Sequence, residues 1–352
     1  MNEKQDSKQG RKVSRRTVFK TVGVGGAAAA VAPQILIAGE DKSGMKSKLM
    51  GQGEHTYEWV EGWAKTPDSI RFGYTHGVAE DSQGNIYIHN QSKDSMAVFD
   101  PDGKFIKSWG EAFAAGAHGL TLNKEGSDEF LYLADVDRNI VVKTTLDGEE
   151  IWTLGLPEES GVYPEGKGYK PTNVAIGPNG DVYIADGYGS SYIHQYNKDA
   201  EYIRTWGGKG TEDGKLSCPH GIWLDTRGET PEILVADRAN VRLQWFSLEG
   251  EHLRTHNKDL LHPCHFDIRE SDLLVPDLFG RVSIFDKNNN LVTHLGITPG
   301  VKQIEGYPNL PHEQRHVGQF ISPHSAMWDK DGNIFVVEWI NDGRVTKLRR
   351  VS

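Results

Sequence analysis

The sequence predicts an all-β fold, a six-bladed β-propeller, and three observations carry that expectation. First, five apolar strands end on an acid: Tyr132-Leu133-Ala134-Asp135, Tyr183-Ile184-Ala185-Asp186, Leu234-Val235-Ala236-Asp237, Leu274-Val275-Pro276-Asp277 and Phe335-Val336-Val337-Glu338. Second, a sixth, Ile86-Tyr87-Ile88-His89, fits the series with the acid replaced. Third, the last repeat stops one strand short, while a spare strand near Tyr57–Trp63 precedes the first. Borrowing that strand would close the ring and remove its exposed edges.

Each repeat justifies four strands. An apolar strand comes first, as in His76-Gly77-Val78-Ala79 or His220-Gly221-Ile222-Trp223, and a turn such as Gly177-Pro178-Asn179-Gly180-Asp181 leads into the acid-ended strand. Two more follow around turns such as Asp100-Pro101-Asp102-Gly103. Forty Gly and fifteen Pro supply the tight turns that so many short strands need. Inner strands should begin near His76, His118, Thr172, His220, Cys264 and His324, placing one propeller domain over residues 55–352 and a linker over 39–54. Trp109 and Trp206 end outer strands and read as packing residues. The Gly-rich run 206–210 lacks the spacing and the following helix of a phosphate loop, so it reads as a blade-to-blade connection.

The net charge of −10 is unevenly spread. Residues 1–38 carry seven Lys and Arg against two acids, leaving 32 basic and 47 acidic side chains in the rest. So acidic a body repels phosphate backbones, and no nucleic-acid partner is expected. In the basic head, Ser14-Arg15-Arg16-Thr17-Val18-Phe19-Lys20 precedes a mild Gly- and Ala-rich apolar run. This resembles a twin-arginine export signal over 1–38, with the export machinery as partner and a periplasmic or secreted destination. An uncleaved signal would leave a membrane anchor. The chain is read as a monomer.

Four histidines share one repeat position, the first residue of an inner strand: His76, His118, His220 and His324. Inner strands all run the same way along a propeller's channel, so equivalent positions form a ring at one mouth. His118, His220 and His324 come from alternate blades and should converge. Three imidazoles with open positions beyond them suit a catalytic Zn²⁺ or similar ion, whereas Ca²⁺ would call for carboxylates. His76 falls between two of the three, as a fourth ligand, an outer hydrogen-bond partner or a substrate contact. His265 is one residue off the ring position.

The segments Pro171-Thr172-Asn173-Val174-Ala175, Ala185-Asp186-Gly187-Tyr188-Gly189, Trp206-Gly207-Gly208-Lys209-Gly210, Pro219-His220-Gly221-Ile222 and Ala236-Asp237-Arg238 resemble those of peptidyl-α-hydroxyglycine α-amidating lyase, a six-bladed propeller of the NHL-repeat type. The resemblance covers nearly all of 70–350. It implies Zn²⁺ on His118, His220 and His324, Tyr188 as base or hydroxyl-orienting group, and Arg238 on the substrate carboxylate. The implied reaction splits a small-molecule or peptide carbinolamide into an amide and glyoxylate.

This chain departs from the family at several points. A second family arginine is replaced by His89-Asn90-Gln91, and a family methionine by Ser322. The Asp that helps hold channel Ca²⁺ reads Ser325, although Val78 and Leu120 match the two carbonyl positions, so Ca²⁺ is not firmly implied. Long connections at 156–170 and 297–321 should overhang the histidine-bearing mouth, and Arg315 in the second could replace the missing cation. Cys218 and Cys264, near neighbouring inner strands, read as two thiols, with a disulfide between them or a metal-proximal Cys264 as the alternatives. Alternative functions are a non-catalytic propeller binding a protein or glycan, and a lactonase-type hydrolase.

Overall fold

A computed structural model describes residues 48–166 and 168–351. The twin-arginine segment therefore lies outside the described residues. No helix among the described residues is long and apolar enough to cross a membrane.

Six antiparallel sheets follow one another along the chain. Blade one spans Thr75–Trp109, blade two Ala117–Leu154, blade three Asn173–Gly207, blade four Pro219–His256 and blade five Asp267–Leu295, each of four strands. Blade six takes three strands from Pro323–Arg350, and His55–Val60 supplies its outer strand, pairing Tyr57 with Arg350 and Val60 with Lys347. The ring is thus closed by the spare strand near Tyr57. One strand more is present than the repeat predicts. Leu49–Gln52, inside the stretch read as linker, folds back on His55–Glu58 as a fifth strand. The hairpin forms because Met50, Tyr57 and Trp59 can all be buried against blades five and six.

The core lies between blades. Ala175, Tyr183, Ala185 and Ile193 of blade three meet Ile222, Ile233, Val235 and Phe246 of blade four, and the other interfaces repeat this pattern. Trp109 and Trp206 pack as expected. Each covers a turn glycine of the next blade, Gly148 and Gly250, where a Cβ would come within 2.6 Å of the indole.

The recurrent acid holds the mouth together. Asp186 accepts the Lys170 and Ser190 amides, Asp237 that of Ser217, Asp277 those of Leu261 and His262, and Glu338 those of Ile321 and Ser322. Each carboxylate therefore ties the segment entering an inner strand to its own blade. Arginines reinforce the pattern, Arg242 on Asp237 at 2.6 Å and Arg281 on Asp277 at 3.0 Å.

Candidate functional site

Every ring histidine sits on a β-bulge. Register slips by one residue between Thr75 and Gly77, Ala117 and Leu120, Pro219 and Ile222, and Pro323 and Ser325, and the extra residue is or adjoins the histidine. A bulge bends the strand and re-aims its side chain, here toward the channel. The ring positions of blades three and five carry no histidine, and Asn173 continues a regular ladder. Glycine follows three of the four histidines for a steric reason. A Cβ on Gly119 would lie 2.5 Å from the Thr172 carbonyl, and one on Gly221 2.5 Å from that of Cys264. The inner strand of blade five is ordered as a ladder only over Asp267–Arg269, later than the start expected near Cys264. Pro276 opposite lacks an N–H, so the upper ladder is reduced to the Cys264 amide on the Pro276 carbonyl and a single bridge from Pro263 to Asp277.

The imidazoles of His118, His220 and His324 converge, with ring centroids 4.8, 4.8 and 4.7 Å apart pairwise. Each donates Nδ1–H to a carbonyl on the next blade: His118 to Thr172 at 2.7 Å, His220 to Cys264 at 2.9 Å, His324 to His76 at 2.8 Å. Three equivalent bonds fix one tautomer, so each ring's Nε2 keeps its lone pair free for the axis. That is how backbone carbonyls orient metal-binding imidazoles. Burial pushes His118 down to about 3 against the pull of the Thr172 carbonyl. Burial also holds His220 and His324 well below their ordinary range, with the Arg238 charge next for His220 and His118 next for His324. All three are neutral at physiological pH, the state a metal ligand requires.

Tyr188 hangs over this cluster. Its ring is 41% exposed at the rim, but its hydroxyl reaches inward to His220 Nε2 at 3.0 Å and His118 Nε2 at 3.2 Å. The turn that presents it depends on Gly187, where a Cβ would stand 2.4 Å from the Pro219 carbonyl. Burial of the hydroxyl end raises the Tyr188 pKa although Arg238 lowers it, so the phenol stays protonated.

Arg238 is buried beside Tyr188, Nη2 standing 3.4 Å from the phenol oxygen. The obvious partner, Asp237, is taken by Arg242. Arg238 forms no ion pair among the described residues. Its neighbours are thiols, Cys218 Sγ at 3.3 Å and Cys264 Sγ at 3.8 Å, both free cysteines. Sulfur is a weak acceptor, so the cation keeps its charge for an incoming anion. The sequence showed the two cysteines but not that they flank Arg238.

Two expected contributors stand differently. Arg315 is not a free cation at the mouth: it is bound to Asp342 at 2.7 and 2.8 Å and to the Leu310 carbonyl at 2.6 Å. It lines a groove with Trp59, Val60, His312 and Arg344 whose lining includes none of the channel histidines. An acid 27 residues further on captured it, which no local pattern signals. The Ser325 hydroxyl meets His265 Nδ1 at 3.3 Å, and no carboxylate joins either side chain by hydrogen bond or ion pair among the described residues. Without a carboxylate, a hydroxyl held by an imidazole is a poor addition to two carbonyls as a Ca²⁺ donor set. Three neutral imidazoles with unprotonated Nε2 atoms do suit Zn²⁺.

The 297–321 connection packs over the mouth, as Tyr307 donates to the Leu278 carbonyl at 2.8 Å and Asn309 to the Tyr74 hydroxyl at 3.0 Å. His262 stacks on Phe279 at 4.6 Å. Burial first, then the Arg238 and Lys302 charges, push His262 down to about 4. These rim residues were not singled out by sequence.

The architecture defines a six-bladed propeller with a histidine-lined mouth. In sequence this chain is similar to the peptidyl-α-hydroxyglycine α-amidating lyases. Lyase 1 of Drosophila melanogaster is 26% identical over 341 residues, covering 84% of this chain and 60% of that protein. Lyase 2 of the same organism is 24% identical over 316 residues, covering 82% and 73%. Peptidyl-glycine α-amidating monooxygenase B of Xenopus laevis is 30% identical over 210 residues, covering 51% of this chain and 23% of that protein. The match thus spans less than two thirds of the first relative and under a quarter of the monooxygenase. No protein-family model matches. In fold, a streptogramin B lyase (TM-score 0.57, 14% identity, 80% of this chain and 95% of that one) and a Xanthomonas campestris gluconolactonase (0.57, 12%, 91% and 96%) are similar.

Proposed function

We propose that the protein is a metal-dependent carbon–nitrogen lyase of the amidating type, releasing an amide and glyoxylate from an α-hydroxyglycine-like substrate. The observation that carries this reading is the pairing of three tautomer-locked histidines with an unpaired buried arginine, bridged by one tyrosine hydroxyl. His118, His220 and His324 would hold the cation. A Zn²⁺ held there would supply Lewis acidity, lowering the pKa of the substrate hydroxyl.

The chain's own residues account for the rest. Arg238 binds the carboxylate and orients the adjacent carbon under Tyr188. As C–N breaks, the hydroxyl O–H bond also breaks and its electrons form the aldehyde C=O. Tyr188 takes up the proton of that hydroxyl while it delivers its own phenolic proton to the departing nitrogen, so it ends the step protonated and the proton count balances. Since the second family arginine is absent, we propose that the favoured substrate differs from the family's in the groups around its carboxylate.

Treating purified protein with a chelator should abolish glyoxylate release from a peptidyl-α-hydroxyglycine, and added Zn²⁺ should restore it. Metal-loaded protein that releases none would leave the lyase reading without support. We propose twin-arginine export for the same chain. Replacing Arg15 and Arg16 by Lys should keep it cytoplasmic in cell fractionation.

A further inference from the structure

We propose that His76 is itself a metal ligand, so that the cation is held by four imidazoles, those of His76, His118, His220 and His324. The inference rests on the reading that the channel mouth holds a metal.

Three observations carry it. His76 occupies the same bulged repeat position as the other three. One ligand nitrogen from each of His76, His118 and His324 lies within 4.8 Å of the others, a buried set that includes His76 and not His220. His76 Nδ1 is 3.3 Å from His324 Nε2. Two imidazole nitrogens on one tetrahedral Zn²⁺, each at 2.0–2.1 Å, are separated by about 3.3 Å, so this spacing already matches a shared ion.

The rings form two triangles that share the His118–His324 edge of 4.8 Å. His220 closes one, at 4.8 and 4.7 Å, and His76 the other, at 4.7 and 4.4 Å. Four imidazoles would fill a tetrahedral ion. Substrate oxygen would then enter as a fifth ligand, an expansion that catalytic Zn²⁺ tolerates.

The test loads the purified full-length protein with Co²⁺ and counts imidazoles by X-ray absorption, which needs no variant. Four are expected. His76→Ala should shift the visible Co²⁺ spectrum and weaken Co²⁺ retention against a chelator by at least about 10-fold, the lower end of what loss of a supporting group costs. Three imidazoles in the wild type, an unchanged His76→Ala spectrum, or no cobalt bound would overturn the proposal. Glyoxylate release, assayed on the same protein, separates the two readings. Four imidazoles without glyoxylate would keep His76 as a ligand and remove the lyase. Glyoxylate with three imidazoles would do the reverse.

Discussion

Arg238 shows what single residues contribute. A buried guanidinium normally sits on a carboxylate, yet here two thiols and a phenol surround it. Its charge is therefore available for substrate, and Arg238→Lys should cost more than charge alone implies, because the bidentate fork is lost. A fall in kcat/KM of about 10–100-fold, mostly in KM, is the expected result of steady-state assay, given about 1.5–3 kcal/mol for a charged hydrogen bond. Replacing Cys218 by Asp should have a related effect, since a carboxylate beside Arg238 competes with the substrate's. Inhibition by free glyoxylate should weaken in that variant. The type of residue at each of these positions was legible in the sequence. That Arg315 is held by Asp342 instead of serving the mouth was not, because the pairing depends on how a long connection lies against blade six.

At the scale of the element, the bulge converts a strand into a metal-binding support. The His-Gly dipeptides at 76–77, 118–119 and 220–221 are its visible trace. Glycine is needed because neighbouring inner strands approach closely near the axis, so Gly221→Ala would force its Cβ against the Cys264 carbonyl. That carbonyl also holds His220 in its tautomer. We expect Gly221→Ala to lower stability by about 1–3 kcal/mol, as overpacking does, and to weaken metal retention in parallel. A thermal melt and a chelator competition would measure the two. A melt unchanged from wild type would show that the strands can separate at no cost. Blade five shows the complementary effect. A proline in the acid-ended strand thins its ladder and delays the inner strand to Asp267, although the apolar pattern begins at Cys264.

The whole molecule stores an acid sensitivity. Burial holds His118 and His194 down to about 3, and His89 and His265 down to about 4. The folded state keeps these rings neutral, whereas the unfolded chain protonates them near 6.5. Their contribution is thus fully present above about 6.5 and is lost as pH falls toward the folded values. The metal-free protein should melt at progressively lower temperature from pH 7 to pH 4, and His265→Asn should flatten that slope. An equal slope in the variant would assign the loss to other groups. Closure makes a separate demand. Deleting residues 48–60 would strip the outer strand from blade six and expose Trp328, Leu348 and a bare edge. Aggregation on size-exclusion chromatography is the expected result.

The sequence by itself determined the repeat, the number of blades, the closing strand and the in-register histidines, because strand alternation and ring position are written locally in each repeat. It also carried the resemblance, since Tyr188 and Arg238 lie in short segments. Only the tertiary structure decided which nitrogen each histidine turns to the axis, what lies beside Arg238, and how near His76 comes to the others. Those facts depend on carbonyls and sulfurs supplied by the adjacent blade, tens of residues away, and no spacing along one strand encodes where a neighbouring strand will stand.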